Sequence, residues 1–288
     1  FRSSGNDTDI ANGDSSPSAS DDTDFGTALV AGGTVDHTFT VTNTGTINLT
    51  VDNVTTSGTH AADFIVTAQP STPVEGGAAT TFTVQFDPSG VGLREATISF
   101  ANNDADEDPF TFNIQGYGTA PEIGVSGNDT DISNGDATPS LTDHTDFGEA
   151  LVAGGTVSRT FTVTNSGAAS LTLGNVTTGG IAAADFTITT QPTSPLASSN
   201  STTFVVEFNP SAVGLREATV SFTNNDTDEN PFSFSIQGYG TAPEIAVYGN
   251  NTLISNGDST PSTGDHTDFG NMALGGTPIA RTFTVTNI

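Results

Sequence analysis

The sequence repeats itself with a fixed period of 122 residues. The segment Gly5–Ile10 recurs as Gly127–Ile132, and the tripeptide Asp24-Phe25-Gly26 recurs at 146–148 and again at 268–270. Every matched motif has the same offset, so no insertion or deletion separates the copies. Self-similarity at a fixed period is the signature of repeat architectures, in which each unit is one structural module.

A unit of this length is the usual size of a domain with its own hydrophobic core. The period therefore predicts two complete domains, at residues 1–120 and 121–242. Residues 243–288 form the N-terminal part of a third copy.

The second copy shows the residue pattern of short β-strands separated by turns. Phe161 and Val163 alternate with threonines, and Phe204, Val206 and Phe208 alternate in the same way. Clusters of Gly, Asn, Asp and Pro divide these segments about every ten residues, which is typical of strands and turns. Seven or eight strands are predicted in each copy, one of them containing Leu171 and Leu173; no segment has a helical period. We expect an all-β fold in which two sheets enclose the alternating apolar side chains.

The segments that join the copies are short. Residues 116–121 connect the first copy to the second, and residues 238–243 connect the second to the third. Six residues that include a proline leave little freedom for independent domain motion. We therefore expect the tandem sandwiches to form an extended rod.

The charge of the chain limits its partners. The formal net charge is −28, lysine and cysteine are absent, and arginine is the basic side chain at only five positions. Nucleic acids and anionic membrane surfaces both require a basic patch, so neither is expected as a partner. The sequence contains no run of 18 apolar residues that could cross a bilayer, so this segment is not expected to insert in a membrane. Without disulfides, stability must come from packing.

Several motifs resemble a known family of repeats. They are Pro121-Glu122-Ile123, Asp146-Phe147-Gly148, Arg159–Asn165, Phe208-Asn209-Pro210 and Asn225–Phe232. Together they resemble the bacterial choice-of-anchor D repeats, which are related to the ASH (ASPM-SPD-2-Hydin) immunoglobulin-like sandwiches. The resemblance covers essentially the whole chain. It implies tandem immunoglobulin-like modules in secreted or surface-attached bacterial proteins, with no catalytic residues to transfer.

One acidic segment of each copy is a candidate calcium site, since Ca²⁺ takes six to eight oxygen ligands. The candidate ligands are Asp129, Asp131, Asp136, Asp143 and Asp146, with Asp7, Asp9, Asp14, Asp21 and Asp24 as the first-copy equivalents. The alternative is a solvated loop in which Asp side chains cap their own turns. The third copy has Asn251 and Leu253 at the first two positions, so it is expected to lack such a site.

A second acidic cluster lies before the last strand of each copy. It contains Asp104, Asp106, Glu107 and Asp108, and recurs as Asp226, Asp228 and Glu229. Metal binding and a plain Asn-Asp turn are the two interpretations. The Arg94-Glu95 pair, repeated as Arg216-Glu217, is interpreted either as an exposed ion pair or as a contact to the acidic loops of another unit or of another chain.

These features predict a non-enzymatic structural protein, outside the cell or on its surface, that forms a fibre, stalk or adhesin shaft. No histidine recurs in every copy that contains its position, which argues against a Ser-His-Asp site and against zinc. The expected partner is the protein itself, through neighbouring repeats or through strand edges of neighbouring chains. The alternative is an adhesion module that binds a glycan or another surface ligand through loops at one end of the sandwich.

Overall fold

The computed structural model describes residues 1–152 and 154–288, and strands dominate the described part. The first repeat contains nine strands: β1 (Arg2–Gly5), β2 (Thr8–Ile10), β3 (Asp24–Leu29), β4 (Val35–Thr42), β5 (Thr55–Ser57), β6 (Phe64–Ala68), β7 (Ala79–Phe86), β8 (Gly92–Phe100) and β9 (Phe110–Thr119). A 3₁₀ turn at Ala61–Asp63 precedes β6.

The second repeat reproduces this order in nine strands: β10 (Ile123–Gly127), β11 (Thr130–Ile132), β12 (Asp146–Leu151), β13 (Val157–Asn165), β14 (Thr177–Gly179), β15 (Phe186–Thr190), β16 (Ser201–Phe208), β17 (Gly214–Phe222) and β18 (Phe232–Thr241). Its 3₁₀ turn is Ala183–Asp185. The third repeat contributes β19 (Ile245–Gly249), β20 (Thr252–Ile254) and β21 (Phe283–Asn287).

Each complete repeat is a sandwich of two sheets. The five-stranded sheets have the orders β2-β1-β4-β7-β6 and β11-β10-β13-β16-β15, and the four-stranded sheets have the orders β3-β9-β8-β5 and β12-β18-β17-β14. Neighbouring strands are antiparallel except β3 with β9 and β12 with β18, which are parallel. Every sheet lies within one repeat. The prediction of an all-β sandwich is confirmed.

Phenylalanines from both sheets fill the space between them. In the second repeat Phe161 stacks on Phe204 with ring centroids 5.2 Å apart, and Phe161 also meets Phe234 of the other sheet at 5.4 Å. All three rings are at most 1% exposed. The alternating apolar pattern therefore predicted these buried positions correctly, because successive side chains of a strand point to opposite faces of its sheet.

The strand count is higher than the sequence indicated. Two of the additional strands in the second repeat, β11 and β14, are three residues long. Conversely, the predicted strand at Leu171 and Leu173 consists of isolated bridges, from Leu171 to Leu196 and from Leu173 to Asn224. Leu171 is nevertheless fully buried.

The acidic segment between β11 and β12 packs closely against the last residue of β10 in the five-stranded sheet. A side chain at Gly127 would collide with the backbone carbonyl of Asp143, and Gly5 faces Asp21 in the same way. Glycine is therefore required at this position, because it alone lets the two backbones approach so closely.

A buried ion pair ties the 3₁₀ turn of each repeat to the four-stranded sheet. Asp63 is 2% exposed, and its carboxylate accepts a hydrogen bond of 2.5 Å from Arg94 Nε on β8. Asp185 and Arg216 form the same pair in the second repeat, also at 2.5 Å. Arg94 therefore pairs with Asp63 of its own repeat, so the predicted exposed pair with Glu95 and the predicted contact to another repeat were wrong. A contact to another chain stays a prediction. Desolvation opposes ionisation of Asp63, but hydrogen bonds from Arg94 and Ser89 outweigh it and lower the pKa of this carboxyl.

The connections between repeats are shorter than the predicted six residues. Strand β9 extends to Thr119 and β10 begins at Ile123, so only residues 120–122 lie between them. Pro121 is buried, and Ala120 O accepts a hydrogen bond from Ala169 N at 3.0 Å. The linker is therefore fixed to the second repeat by backbone contacts.

We expect Arg94→Met to destabilise the first repeat by about 3 kcal/mol, because it leaves a buried carboxylate without its partner. Arg2→Met is the matched control, since Arg2 and Asp9 form a pair in which both side chains are more than half exposed. The control should cost less than about 1 kcal/mol. Hydrogen exchange resolved by mass spectrometry measures both changes, with peptides of the second repeat as internal reference. Equal effects of the two variants would contradict the assignment.

Acid should reduce the difference between wild type and Arg94→Met. The paired Asp63 has a lowered pKa, so its contribution to stability is present above the ordinary carboxyl pKa and is lost as pH falls through the lower folded value. In the variant, burial without a cation raises the pKa of Asp63, and protonation then favours the folded state. Exchange measured between pH 7 and about pH 3 should show the two proteins converge. A difference that grows in acid would refute this sign.

Candidate cation site at the start of the second repeat

The first predicted set of calcium ligands is spread along its loop. Asp136 Oδ1 accepts hydrogen bonds from Thr138, and the Asp143 and Asp146 carboxylates accept bonds from the backbone N–H two residues further on. Asp129 lies in the exposed β10–β11 turn with φ of 58°. These are the bonds of turns capped by Asp.

The first repeat follows the same pattern at equivalent positions, where Asp14, Asp21 and Asp24 cap their turns. Calcium binding by these loops stays a prediction. The geometry favours the capped-turn interpretation, because three of the five carboxylates of each loop already accept local hydrogen bonds.

Within residues 1–152 and 154–288, one group of acidic side chains has the spacing that a metal ion needs. Glu122, Asp226, Asp228 and Glu229 each place a carboxylate oxygen within 4.8 Å of the others. Glu122 directly precedes β10, and the other three belong to the turn between β17 and β18. We call these four residues the junction cluster. Sequence reasoning identified its three turn residues and missed Glu122.

Backbone and amide hydrogen bonds hold Glu122 beside the turn. Its N–H donates to Asn165 Oδ1 at 3.3 Å, and its carbonyl accepts from Ser166 N at 2.9 Å. The Asn165 side chain is fully buried and also donates to Ala169 O and Leu196 O. The position of Glu122 is thus set by the body of the second repeat, although the residue is in the linker.

A second asparagine shapes the turn itself. Asn224 Oδ1 accepts from Asp226 N at 2.8 Å, and Asn224 Nδ2 donates to Glu229 O at 2.9 Å. Asp226 is 2% exposed, and its Oδ2 accepts from Ile123 N at 2.8 Å. The backbone of the turn and the carboxylate of Asp226 are therefore held in place by the fold.

The electrostatics of the junction cluster are unfavourable in the absence of a cation. Desolvation, and then the charges of Asp226 and Asp228, raise the pKa of Glu122 and of Glu229. Glu229 Oε2 is buried and has no hydrogen-bond partner. An unpaired buried acceptor such as Glu229 Oε2 costs free energy. The negative charge of the junction cluster is not balanced by any ion pair among the described residues.

The equivalent carboxylates of the first repeat lie beside the backbone nitrogen of Phe1, which is 3.2 Å from Asp104 Oδ2 and 3.6 Å from Glu107 Oε2. Phe1 corresponds to Ile123, and Asp104 and Glu107 correspond to Asp226 and Glu229. The two repeats therefore place the same backbone nitrogen against the same pair of acidic residues.

An exposed apolar row is the other repeated surface feature. Tyr117 of β9 is 44% exposed, its register partner Leu93 on β8 is 38% exposed, and Leu29 of β3 is 44% exposed. Tyr239, Leu215 and Leu151 repeat this row on the second repeat. About half of the surface of Tyr117 and of Tyr239 therefore faces solvent.

Comparison with protein families identifies the repeats. The model for the HYDIN/CFA65/VesB-like Ig-like domain matches residues 18–117 and 139–239. The chain belongs to the HYDIN/CFA65/VesB-like Ig-like domain family. This confirms the predicted immunoglobulin-like tandem fold. The predicted domain limits are wider than the matched ranges and stay a prediction.

Solved structures of similar fold are distant. The ASH/PapD-like domain 7 of human CEP192 is 13% identical, with 35% of this chain and 83% of that domain covered and a TM-score of 0.27. The C-terminal domain of the AgI/II polypeptide BspA from Streptococcus agalactiae is 10% identical, with 82% and 99% covered and a TM-score of 0.36. These values carry no argument about function. No curated protein matches the sequence significantly.

In the absence of divalent ions, we expect Glu122→Gln/Glu229→Gln to make the second Ig-like repeat more stable at pH 7. The folded-state pKa values of both groups are raised, so their contribution to stability is present in acid and lost as pH rises. The amides remove the repulsion, and the amide introduced in place of Glu229 can donate to Asp226. Hydrogen exchange in EDTA measures this, and the gain should shrink towards pH 4. A variant less stable than wild type at pH 7 would contradict the repulsion.

Proposed function

We propose that the chain is a non-enzymatic structural protein, a segment of an extracellular or cell-surface stalk, fibre or adhesin shaft. The observation that carries this proposal is the tandem array of Ig-like repeats joined by three-residue connections. Connections of this length give neighbouring domains little independent freedom.

The surface charge supports a solvated, extended array. The net charge of −28 is compatible with solubility and with repulsion between like surfaces. Packing provides the stability, because the core of each repeat is built from apolar side chains that are at most 8% exposed. In the described part of the chain, no helix is both long enough and apolar enough to cross a membrane.

Self-assembly through strand edges is part of the proposal. In the described part of the chain, the five-stranded sheets of the complete repeats have edge strands, β2 and β6 in the first repeat and β11 and β15 in the second, that pair on one side only. A strand of a neighbouring chain could pair with the open side of such an edge.

The alternative is a binding module that uses the exposed apolar row of Leu29, Leu93 and Tyr117. A row of this kind, repeated on both complete repeats, could contact a glycan ring or a partner surface. The row is on the face of the four-stranded sheet and not in end loops, so the predicted loop site has no support from these residues.

Solution scattering and electron microscopy test the shaft. A compact protein of this length would have a radius of gyration of about 19 Å, and we expect a clearly larger value with an elongated particle. Insertion of Gly-Ser-Gly-Ser after Ala120 is the control, because it should broaden the particle shapes without unfolding the repeats. A compact wild-type particle would refute the shaft. Strictly monomeric particles at high protein and calcium concentrations would refute strand-edge assembly.

A further inference from the structure

We propose that Ala120 is the single hinge residue between the first and second repeats, so that the two repeats change their relative orientation only through the φ and ψ torsions of this residue. The proposal rests on the proposed function, because it describes how a tandem shaft of this kind would keep its stiffness. Peptide bonds are planar, so each residue has only two soft torsions. Motion between two domains is absorbed by the few residues whose torsions neither domain holds.

The first repeat holds the peptide plane that precedes the Cα atom of Ala120. Thr119 O accepts a hydrogen bond from Val30 N at 2.9 Å, and Thr119 Oγ1 donates to Ala28 O at 3.1 Å. Thr119 is also the last residue of β9, and it lies opposite Leu29 in the parallel pairing with β3. The carbonyl of Thr119 and the nitrogen of Ala120 belong to one planar unit, so this unit moves with the first repeat.

The second repeat holds the next peptide plane. Ala120 O accepts a hydrogen bond from Ala169 N at 3.0 Å. Two residues later, Glu122 N donates to Asn165 Oδ1 at 3.3 Å, and Glu122 O accepts from Ser166 N at 2.9 Å. The plane that contains the carbonyl of Ala120 therefore moves with the second repeat. Only the Cα atom of Ala120 lies between the two anchored planes.

The residues around the hinge restrict it further. Pro121 is buried, and a residue that precedes proline is confined to extended conformations with ψ of about 120° to 160°. Gly167 lets the second repeat approach the linker closely, because a side chain there would meet Ala120 O and Glu122 N at 2.5 Å. An alanine in place of Gly167 must therefore displace the linker from its anchor.

The junction between the second and third repeats has the same design. The residue types Thr-Ala-Pro-Glu recur there one period later. Thr241 O accepts a hydrogen bond from Val152 N at 2.9 Å, as Thr119 O does from Val30 N. Glu244 O accepts from Ile288 N at 3.1 Å. The upstream anchor and one downstream anchor are thus present at both junctions.

The test measures the distances between the first two repeats in the whole chain. Because the sequence has no cysteine, Thr38→Cys and Thr160→Cys, at equivalent exposed positions of β4 and β13, give one spin label in each repeat. Double electron–electron resonance should show one narrow peak for this labelled parent. Ala120→Gly should broaden the peak at least about twofold, because glycine also populates positive φ. Ala242→Gly is the matched control at the other junction and should leave the peak unchanged.

A second pair of variants tests the downstream anchor. Gly167→Ala should broaden the same peak, whereas Gly124→Ala should not, since a side chain at Gly124 would meet nothing within 4 Å. Hydrogen exchange at the Ser166 and Ala169 amides should be faster in Gly167→Ala. Protection of β16 should stay as in the parent, which verifies that the second repeat is folded.

A broad distribution for the labelled parent would overturn the proposal, because one of the anchors would then be open. It is equally overturned if Ala120→Gly leaves the peak as narrow as Ala242→Gly does, which would place the motion at other residues. Repeats held at a sharp angle would fail the scattering test of the shaft and still show the narrow peak and its broadening. Failure of the proposed function is therefore distinguishable from failure of the hinge.

Discussion

Packing of phenylalanine rings in the space between the two sheets is the interaction on which each complete repeat depends. The chain has no cysteine, and its net charge of −28 opposes compaction, so a disulfide cannot compensate for a weak core. Burial of one such side chain contributes about 1.5–3 kcal/mol. The rings come from both sheets, as with Phe161 and Phe234, and the sandwich therefore closes only when both sheets are present.

Sequence reasoning found the features that depend on local pattern. Alternation at Phe204–Phe208 predicts a strand and its inward face, and the fixed period predicts the copies. It missed strands of three residues such as β14, because their pairing depends on a distant partner and not on their own pattern. It also missed the pairing of Asp63 with Arg94, which are 31 residues apart. One signal was available: both residues recur at the same positions of the second copy.

Three of the four residues of the junction cluster were recognised from the sequence. The fourth was missed because it is distant in sequence from the other three. Asp226, Asp228 and Glu229 are neighbours in sequence and were recognised as a cluster. Glu122 is 104 to 107 positions away and joins them only because Asn165 and Ser166 hold its backbone. The recurrence of Glu122 as Glu244, at the start of the next repeat, was the sequence feature that marked it.

The buried Asp185 and the partly buried Glu229 of the second repeat have opposite electrostatic surroundings. Asp185 has Arg216 at 2.5 Å, and hydrogen bonds from Ser211 and Arg216 overcome desolvation and lower its pKa. Glu229 has only other acids around it, and its pKa is raised. Of the five arginines in the chain, Arg216 forms an ion pair with Asp185. Among the described residues, no arginine forms an ion pair with Glu229.

The linker and the junction cluster lie at the same end of the second repeat. The buried Pro121 and the hydrogen bonds of Asn165 are at this end as well. Residues 120–122 form hydrogen bonds with the turn that follows β13, and the side chain of Glu122 meets the turn before β18. The path of the connection is consequently determined by the repeat that follows it. The covalent connection and the cluster of like charges are therefore at the same end of the second repeat.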